Sequence, residues 1–219
     1  RTFTANHQYL DDNPTGTPAD NYTVSVKVRD DDGGEATGSA TAKVLNVPPS
    51  NVVVTPVATI TNEGTQVNLG IAFDDAGSQD THQVEINWGD GNVTTATAVG
   101  HSLNANHTYG DNGTYAVIVK VIDDDGGEGF GSAAVFVNNV APSNVQINPI
   151  AAIDENGVAS LTLTFDDPGT LDTHTVEVDW GDGTVETIAV AAGSRTFTAN
   201  HQYLDDNPTG TPADNYTVS

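Results

Sequence analysis

The 219-residue sequence contains no cysteine, no methionine and only 6 basic residues. Without cysteine it has no disulfide framework, no thiolate zinc site and no thiol nucleophile. With 30 acidic residues against those 6 basic ones the formal charge is −24. That balance excludes nucleic acid as a partner, because binding it relies on Lys and Arg neutralising phosphates, and anionic membranes are excluded for the same reason. Two readings of the acidity stay open: carboxylates that hold cations, or a solvating surface for solubility or high salt. No run approaches the ~18 apolar residues of a membrane span, and no secretory h-region opens the chain. Direct membrane insertion is therefore not expected. With no initiating methionine either, the stretch reads as part of a longer polypeptide, in which any signal or anchor lies elsewhere. Catalytic motifs are missing as well: there is no G-x-S-x-G, no H-E-x-x-H and no phosphate-cradling glycine loop. Asp-rich loops on a narrow sandwich supply charge but no sugar-sized cleft for a glycosidase acid. An enzyme is not expected.

What is present is repetition. Residues 1–25 and 195–219 are the same words, RTFTANHQYLDDNPTGTPADNYTVS, 194 residues apart with no position changed. Inside this long period lies a weaker one. FDDAGSQDTHQVEINWGDGNV from Phe73 and FDDPGTLDTHTVEVDWGDGTV from Phe165 agree at 14 of 21 positions with an offset of 92. PSNV at Pro49 returns at Pro142, and VRDDDGGE at Val28 returns as VIDDDGGE at Val121. The repeat unit is thus a pair of related domains of 194 residues. Residues 47–140 form one complete domain. Residues 1–46 are the back of a domain of the second type, and residues 141–219 are the front of another. The whole reads as a window on a tandem array.

The local pattern is all-β. VNLGIAF, HQVEINW, TYAVIVKVI and SAAVFVN, and later VASLTLTF and HTVEVDW, alternate apolar and polar residues between Gly, Asp and Asn clusters. Seven or so short strands in ~95 residues, with turns every 8–12, describe an Ig-like sandwich. Trp88 and Trp180, beside Phe73 and Phe165, are the expected core anchors.

WGDG at Trp88 and Trp180, followed by NHTY or NHQY and then by GTYAVIVKVIDDDGG, resembles the polycystic kidney disease (PKD) domain. The resemblance implies tandem Ig-like sandwiches and an extracellular or cell-surface setting. PKD modules are used as spacers and adhesive stalks, and as accessory modules of secreted hydrolases, and some bind calcium. The sequence departs from the family pattern in having WGDG without the usual intervening residue and Phe. It also has a seven-residue insertion between Tyr203 and Tyr216, whose Pro208 and Pro212 predict an enlarged, rigid loop.

In such a sandwich the loops joining strands two and three and strands six and seven share the leading end. The central domain carries Asp74, Asp75 and Asp80 in the first of these loops; the C-terminal one carries Asp166, Asp167 and Asp172. The second loop supplies Asp123 to Asp125, and Asp30 to Asp32 in the N-terminal part. At the trailing end lie Glu63 or Glu155, Asp90 or Asp182, and Asp111 or Asp205. Stacked head to tail, trailing acids of one domain face leading acids of the next across VNNVAPSN, a repulsive arrangement unless a cation intervenes. Calcium (Ca2+) takes six to eight oxygens from carboxylates and carbonyls. The expected ligands are Asp80, Asp123 and Asp125 with their counterparts Asp172, Asp30 and Asp32, then Asp74, Asp75, Asp166, Asp167, Glu63 and Glu155, with Asn138 and Asn139 of the linker. Asp90 and Asp182 read as turn residues instead. The six histidines show no metal-ligand spacing and read as packing or hydrogen-bonding groups.

These features lead to a structural or adhesive segment of an extracellular stalk or filament, stiffened by calcium where domains meet. Its partners are neighbouring repeats, head to tail, and other copies in a filament. The competing expectation is an accessory module of a secreted hydrolase that binds carbohydrate or protein. That reading needs an exposed aromatic strip, whereas aromatics are 6% of the chain and most fit core positions.

Overall fold

The computed structural model describes residues 2–12, 15–206, 209 and 213–219, so the expected rigid loop at Pro208 and Pro212 lies outside the described residues. Fifteen β-strands and no helix occur among the described residues, and no helix is long and apolar enough to cross a membrane. The chain divides into two compact units. One comprises Arg1–Thr59, Val67–His107 and Thr114–Phe136; the other comprises Ile60–Gln66, Thr108–Gly113 and Val137–Ser219.

In the first unit β1 (Ala19–Arg29) and β2 (Glu35–Leu45) form a long antiparallel hairpin, with Ala19 opposite Leu45 and Arg29 opposite Glu35. β3 (Ser50–Pro56), β5 (Gln66–Asp74) and β8 (Ser102–Thr108) make one sheet of a sandwich, in the order β3-β5-β8. The facing sheet has the order β4-β10-β9-β6-β7. Its strands are β4 (Ile60–Asn62, a segment counted with the second unit), β6 (His82–Asn87), β7 (Val93–Thr97), β9 (Gly113–Asp123) and β10 (Glu128–Asn138). The period-2 pattern decides which side chains turn inward. In β5, Val67, Leu69, Ile71 and Phe73 are buried; Val84 and Ile86 of β6 and Val117, Val119 and Val121 of β9 meet them, with Trp88 wholly buried. The β6–β7 connection is the WGDG turn. Trp88 N donates to Asn92 O at 3.0 Å, and Gly89 and Gly91 sit at φ of 85° and 93°, where a side chain would be strained.

In the second unit β11 (Ser143–Ile147), β12 (Val158–Asp166) and β15 (Thr196–Gln202) form a sheet of order β11-β12-β15, faced by the pair β13 (His174–Asp179) and β14 (Val185–Val190). Its core repeats the central one: Leu161, Leu163, Phe165, Val178, Trp180 and Phe197 are buried together. Tyr203 closes this core, its hydroxyl donating to Trp180 O at 2.7 Å. Each expected strand and both tryptophan anchors are therefore in place.

Candidate metal centres in the acidic loops

The loop after β5 begins where the strand alternation ends. Phe73 points inward, Asp74 outward, and Asp75 inward again. Asp75 is held twice: Oδ1 accepts from Gly77 N at 3.0 Å, and Oδ2 meets His82 Nε2 at 2.9 Å. The corresponding loop after β12 is built alike, with Asp167 accepting from Gly169 N at 2.8 Å and meeting His174 Nε2 at 2.8 Å. One difference is Arg195, which donates from Nε to Asp167 O at 3.0 Å and from Nη2 to Gly169 O. Burial works against ionisation of Asp167, but the hydrogen bonds from His174 and Gly169 and the charge of Arg195 outweigh it and hold the carboxyl below its ordinary value.

Between β9 and β10, Asp123 folds the DDDGG loop around itself. Its Oδ1 accepts from Asp125 N at 3.1 Å and Gly127 N at 2.6 Å, and its Oδ2 accepts from Asn46 Nδ2 at 2.8 Å. Asp80 lies beside it, so that Asp75, Asp80 and Asp123 each bring one ligand atom within 4.8 Å of the others. Asp125 joins Asp11 and Asp12 in a second such group. A polar hollow of about 90 Å³, lined in part by Asp11, Asp12, Asn46 and Asp80, lies here.

In the second unit Glu63 is buried to 1% exposure. Its Oε1 accepts from Val140 N at 2.5 Å, and its amide donates to Asn138 O at 3.1 Å. Next to it Leu171 N donates to Gly110 O at 2.9 Å, a main-chain clasp that sets Asp172 against Glu63 and Asp111. This close approach requires glycine at position 64: φ is +71°, and a Cβ there would stand 2.6 Å from Pro168 Cβ.

Three of the acidic groups share a feature that hydrogen bonding within the protein leaves unresolved. Asp80 Oδ1, Asp12 Oδ2 and Glu63 Oε2 are buried and have no hydrogen-bond partner among the described residues. A buried, unpartnered carboxylate oxygen is costly. The cost is visible in the ionisation of the acids gathered here. Burial, then the charges of Asp75, Asp11, Asp124 and Asp123, push Asp80 up to about 7. Burial, then a hydrogen bond with Asp12 and the charges around it, push Asp125 up to about 6. The donor set is all oxygen, and atoms sharing an ion with bonds of roughly 2.4 Å lie at most ~4.8 Å apart. The groups therefore fit a hard cation of calcium type. The further group Asp167, Asp172 and His174 includes an imidazole, whose Nε2 already meets Asp167.

Not every expected ligand joins a group. Asp74 and Asp166 are exposed and accept from the side chains of Asn51 and Asn144 at 2.9 and 2.8 Å. Asp30 accepts from Gly34 N within its own turn, and Asp32 is exposed there. Asn138 directs its amide to Asn62 Oδ1 at 3.3 Å, and Asn139 is exposed. Glu155 falls in an exposed group with Asp205 and Asp206. Asp11, Asp12, Asp111, Asp205 and Asp206 were not among the expected ligands. The signal for Asp11, Asp111 and Asp205 is the second position after Tyr9, Tyr109 and Tyr203, where each copy places an Asp; Asp12 and Asp206 lie one residue further on, where the central copy has Asn112. Asp90 and Asp182 are turn residues, accepting from Asn92 N at 3.0 Å and Thr184 N at 2.9 Å.

The geometry can be set beside known proteins. The PKD domain profile matches residues 46–137. Among solved structures, the PKD domain of an M14-like peptidase from Thermoplasmatales archaeon SCGC AB-540-F20 is 30% identical, covering 42% of this chain and 97% of that one, with a TM-score of 0.38. A tetra-tandem repeat in the extending region of a large adhesion protein is 20% identical over 84% of this chain, with a TM-score of 0.49. A Ca2+-stabilised adhesin with which an Antarctic bacterium binds ice is 14% identical over 83%, with a TM-score of 0.32. This chain spans 48% of the length of each of those two adhesion proteins. No curated protein sequence matches it. The profile match shows that residues 46–137 belong to the PKD domain family.

Proposed function

We propose that the chain is a structural or adhesive segment of an extracellular tandem-repeat stalk or filament, stiffened by calcium where successive PKD domains meet. In this reading the domains are residues 47–140, complete, flanked by part of a second type in 1–46 and in 141–219. The acids that then meet at each junction are Asp11 and Asp12 with Asp125, and Glu63 and Asp111 with Asp172.

One observation carries the proposal. Glu63 is buried, one of its oxygens is bonded to Val140 N, and the other faces two further carboxylates with no donor among the described residues to satisfy it. A divalent cation supplies the missing partner for Glu63 Oε2 and offsets two of the three carboxylate charges. Fixing Glu63, Asp111 and Asp172 around one ion also fixes the angle between the loops that carry them. No catalytic role is needed for this work.

The test is a calcium titration of the whole chain by calorimetry, with thermal melting and small-angle scattering in calcium and in chelator. Saturable binding, a higher melting temperature and a longer, stiffer particle in calcium are the expected results. Absence of binding, with the same shape in both conditions, would leave a plain acidic spacer.

A further inference from the structure

The sheet β3-β5-β8 of the central domain has a second face, turned away from the core. Alternation along β5 buries Val67, Leu69, Ile71 and Phe73, so Asn68, Gly70 and Ala72 point the other way. Thr55 of β3 pairs with Gly70, and Asn104 and Asn106 of β8 are exposed. Here lies a groove of about 400 Å³, lined by Thr55, Asn68, Gly70, Asn104 and Asn106, with Val57, 79% exposed, at its side. Gly70 is the floor. A Cβ built there would have only Thr55 O at 3.7 Å and Asn104 Oδ1 at 3.8 Å within contact range, so the space above it is open.

The groove is uncharged. None of the 30 acidic and 6 basic residues of the chain lines it. A hard cation is held by carboxylates, which stand elsewhere, and a polyanion is repelled by a net charge of −24. A protein partner needs a pocket for an aromatic or arginine anchor, and no aromatic side chain walls this one. What the groove offers is a hydroxyl and three amides. Each amide sets two N–H donors beside a carbonyl acceptor, and a hydroxyl both donates and accepts. Neighbouring hydroxyls of a sugar ring match that pattern in pairs, and the C–H face of the ring suits an exposed valine.

We propose that this groove binds an uncharged carbohydrate, with Asn68 and Asn104 hydrogen-bonding ring hydroxyls, Gly70 giving the ring room and Val57 packing against its C–H face. The second unit carries the built-in comparison. Thr162 of β12 holds the place of Gly70 and Thr198 of β15 that of Asn104, and their hydroxyls meet at 3.4 Å. Two branched side chains thus stand where the central domain is hollow. The site belongs to one of the two domain types. It uses no residue of the acidic loops, so it stands or falls apart from the calcium reading.

Amide NMR titration of the 219-residue chain, in calcium and in chelator, tests the proposal. The neutral probes are cellohexaose, maltohexaose and N-acetylchitohexaose; oligogalacturonate, added in chelator, is the charged control. At least one neutral probe is expected to shift the side-chain amides of Asn68 and Asn104 and the main-chain amide of Gly70, saturably at millimolar concentration and in both conditions. The charged control should move none of them. Gly70→Thr installs the residue that β12 carries, and threonine suits a strand, so its melting temperature should not fall. Its affinity should drop ~10-fold or more, because the side chain fills the floor and costs the sugar its hydrogen bonds. Asn104→Ala, at an exposed position, should weaken binding with an unchanged circular dichroism spectrum. No saturable shift with any neutral probe overturns the proposal. So do shifts confined to the acidic loops, equal binding of oligogalacturonate, or a folded Gly70→Thr variant that binds as tightly as wild type.

Discussion

The imidazole of His107 lies flat against the indole of Trp88, ring centroids 4.8 Å apart and planes 18° apart, and its Nε2 meets Asp90 Oδ2 at 2.6 Å. The second sandwich repeats the arrangement with His201 on Trp180 at 4.9 Å and Asp182 at 2.7 Å. The histidine thus links the WGDG turn to the strand beside it. Burial disfavours ionised Asp90, but hydrogen bonds from Asn92 and His107 more than offset this and hold its carboxyl below the ordinary value. That contribution is present above the unfolded carboxylate value and is lost as pH falls through the lower folded one. His107→Ala is expected to lower stability by about 1.5–3 kcal/mol, the range for a hydrogen bond to a charged group. The urea midpoint should fall with an unchanged slope.

Replacing Glu63 by glutamine separates charge from shape. The new side chain still accepts from Val140 N through its carbonyl oxygen, but the buried negative charge is gone. Calcium affinity should drop ~10-fold or more, since a carboxylate ligand gives charge as well as an oxygen. In chelator the same variant should melt no lower than wild type, because an uncompensated buried charge has been removed. Calorimetry and melting curves on the same samples check both halves. A variant that melts lower in chelator would show that Glu63 is satisfied without a metal.

Stability of the calcium-free protein should depend on pH in an unusual direction. Asp80 and Asp125 titrate near 7 and near 6 in the folded chain, above the ordinary carboxylate value of 3.8. Between those limits the folded state binds more protons than the unfolded state, so stability falls as pH rises. In chelator the melting temperature should decline from about pH 4 to about pH 7 and level off above it. Calcium should reverse the trend, and its binding at about pH 6 should release protons. A flat profile across this window in chelator would contradict the crowding of Asp12, Asp80 and Asp125.

Two glycine substitutions measure the main-chain clasp against simple strain. Gly64→Ala meets both a φ of +71° and Pro168 Cβ at 2.6 Å, and is expected to cost about 2–3 kcal/mol. Gly91→Ala has a φ of +93° but open space around it, and should cost only the backbone share of about 1 kcal/mol. Thermal melts of the two variants should differ accordingly. Equal losses would show that residues 64 and 168 do not touch in solution.

The strands and the sandwich were legible in the sequence because a half-buried strand writes its faces in alternating residues, as β5 does from Val67 to Phe73. The loops were harder. Asp74 and Asp75 are neighbours in sequence, yet one points to Asn51 and the other to His82. The alternation that buries Phe73 already separates them, whereas composition alone makes the pair one cluster. Asp30 and Asp32 have the same sequence context as Asp123 and Asp125, but they sit at the tip of an exposed hairpin. Grouping depends on which loops fold together, and Leu171 with Gly110 shows that main-chain bonds decide it. Such bonds leave almost no trace in residue types. Asp11 and Asp12 were hidden for the same reason.

The approach of residue 64 to residue 168, and the hydrogen bond from Leu171 N to Gly110 O, involve glycine on one side and main chain or a proline ring on the other. A joint of that kind does not read the identity of side chains nearby. In the tandem-array reading proposed above, neighbouring modules can therefore diverge over most of their surface and still seat against one another. What such modules must keep is the absence of a side chain at two positions, so the grammar of the proposed array is written in two hydrogens.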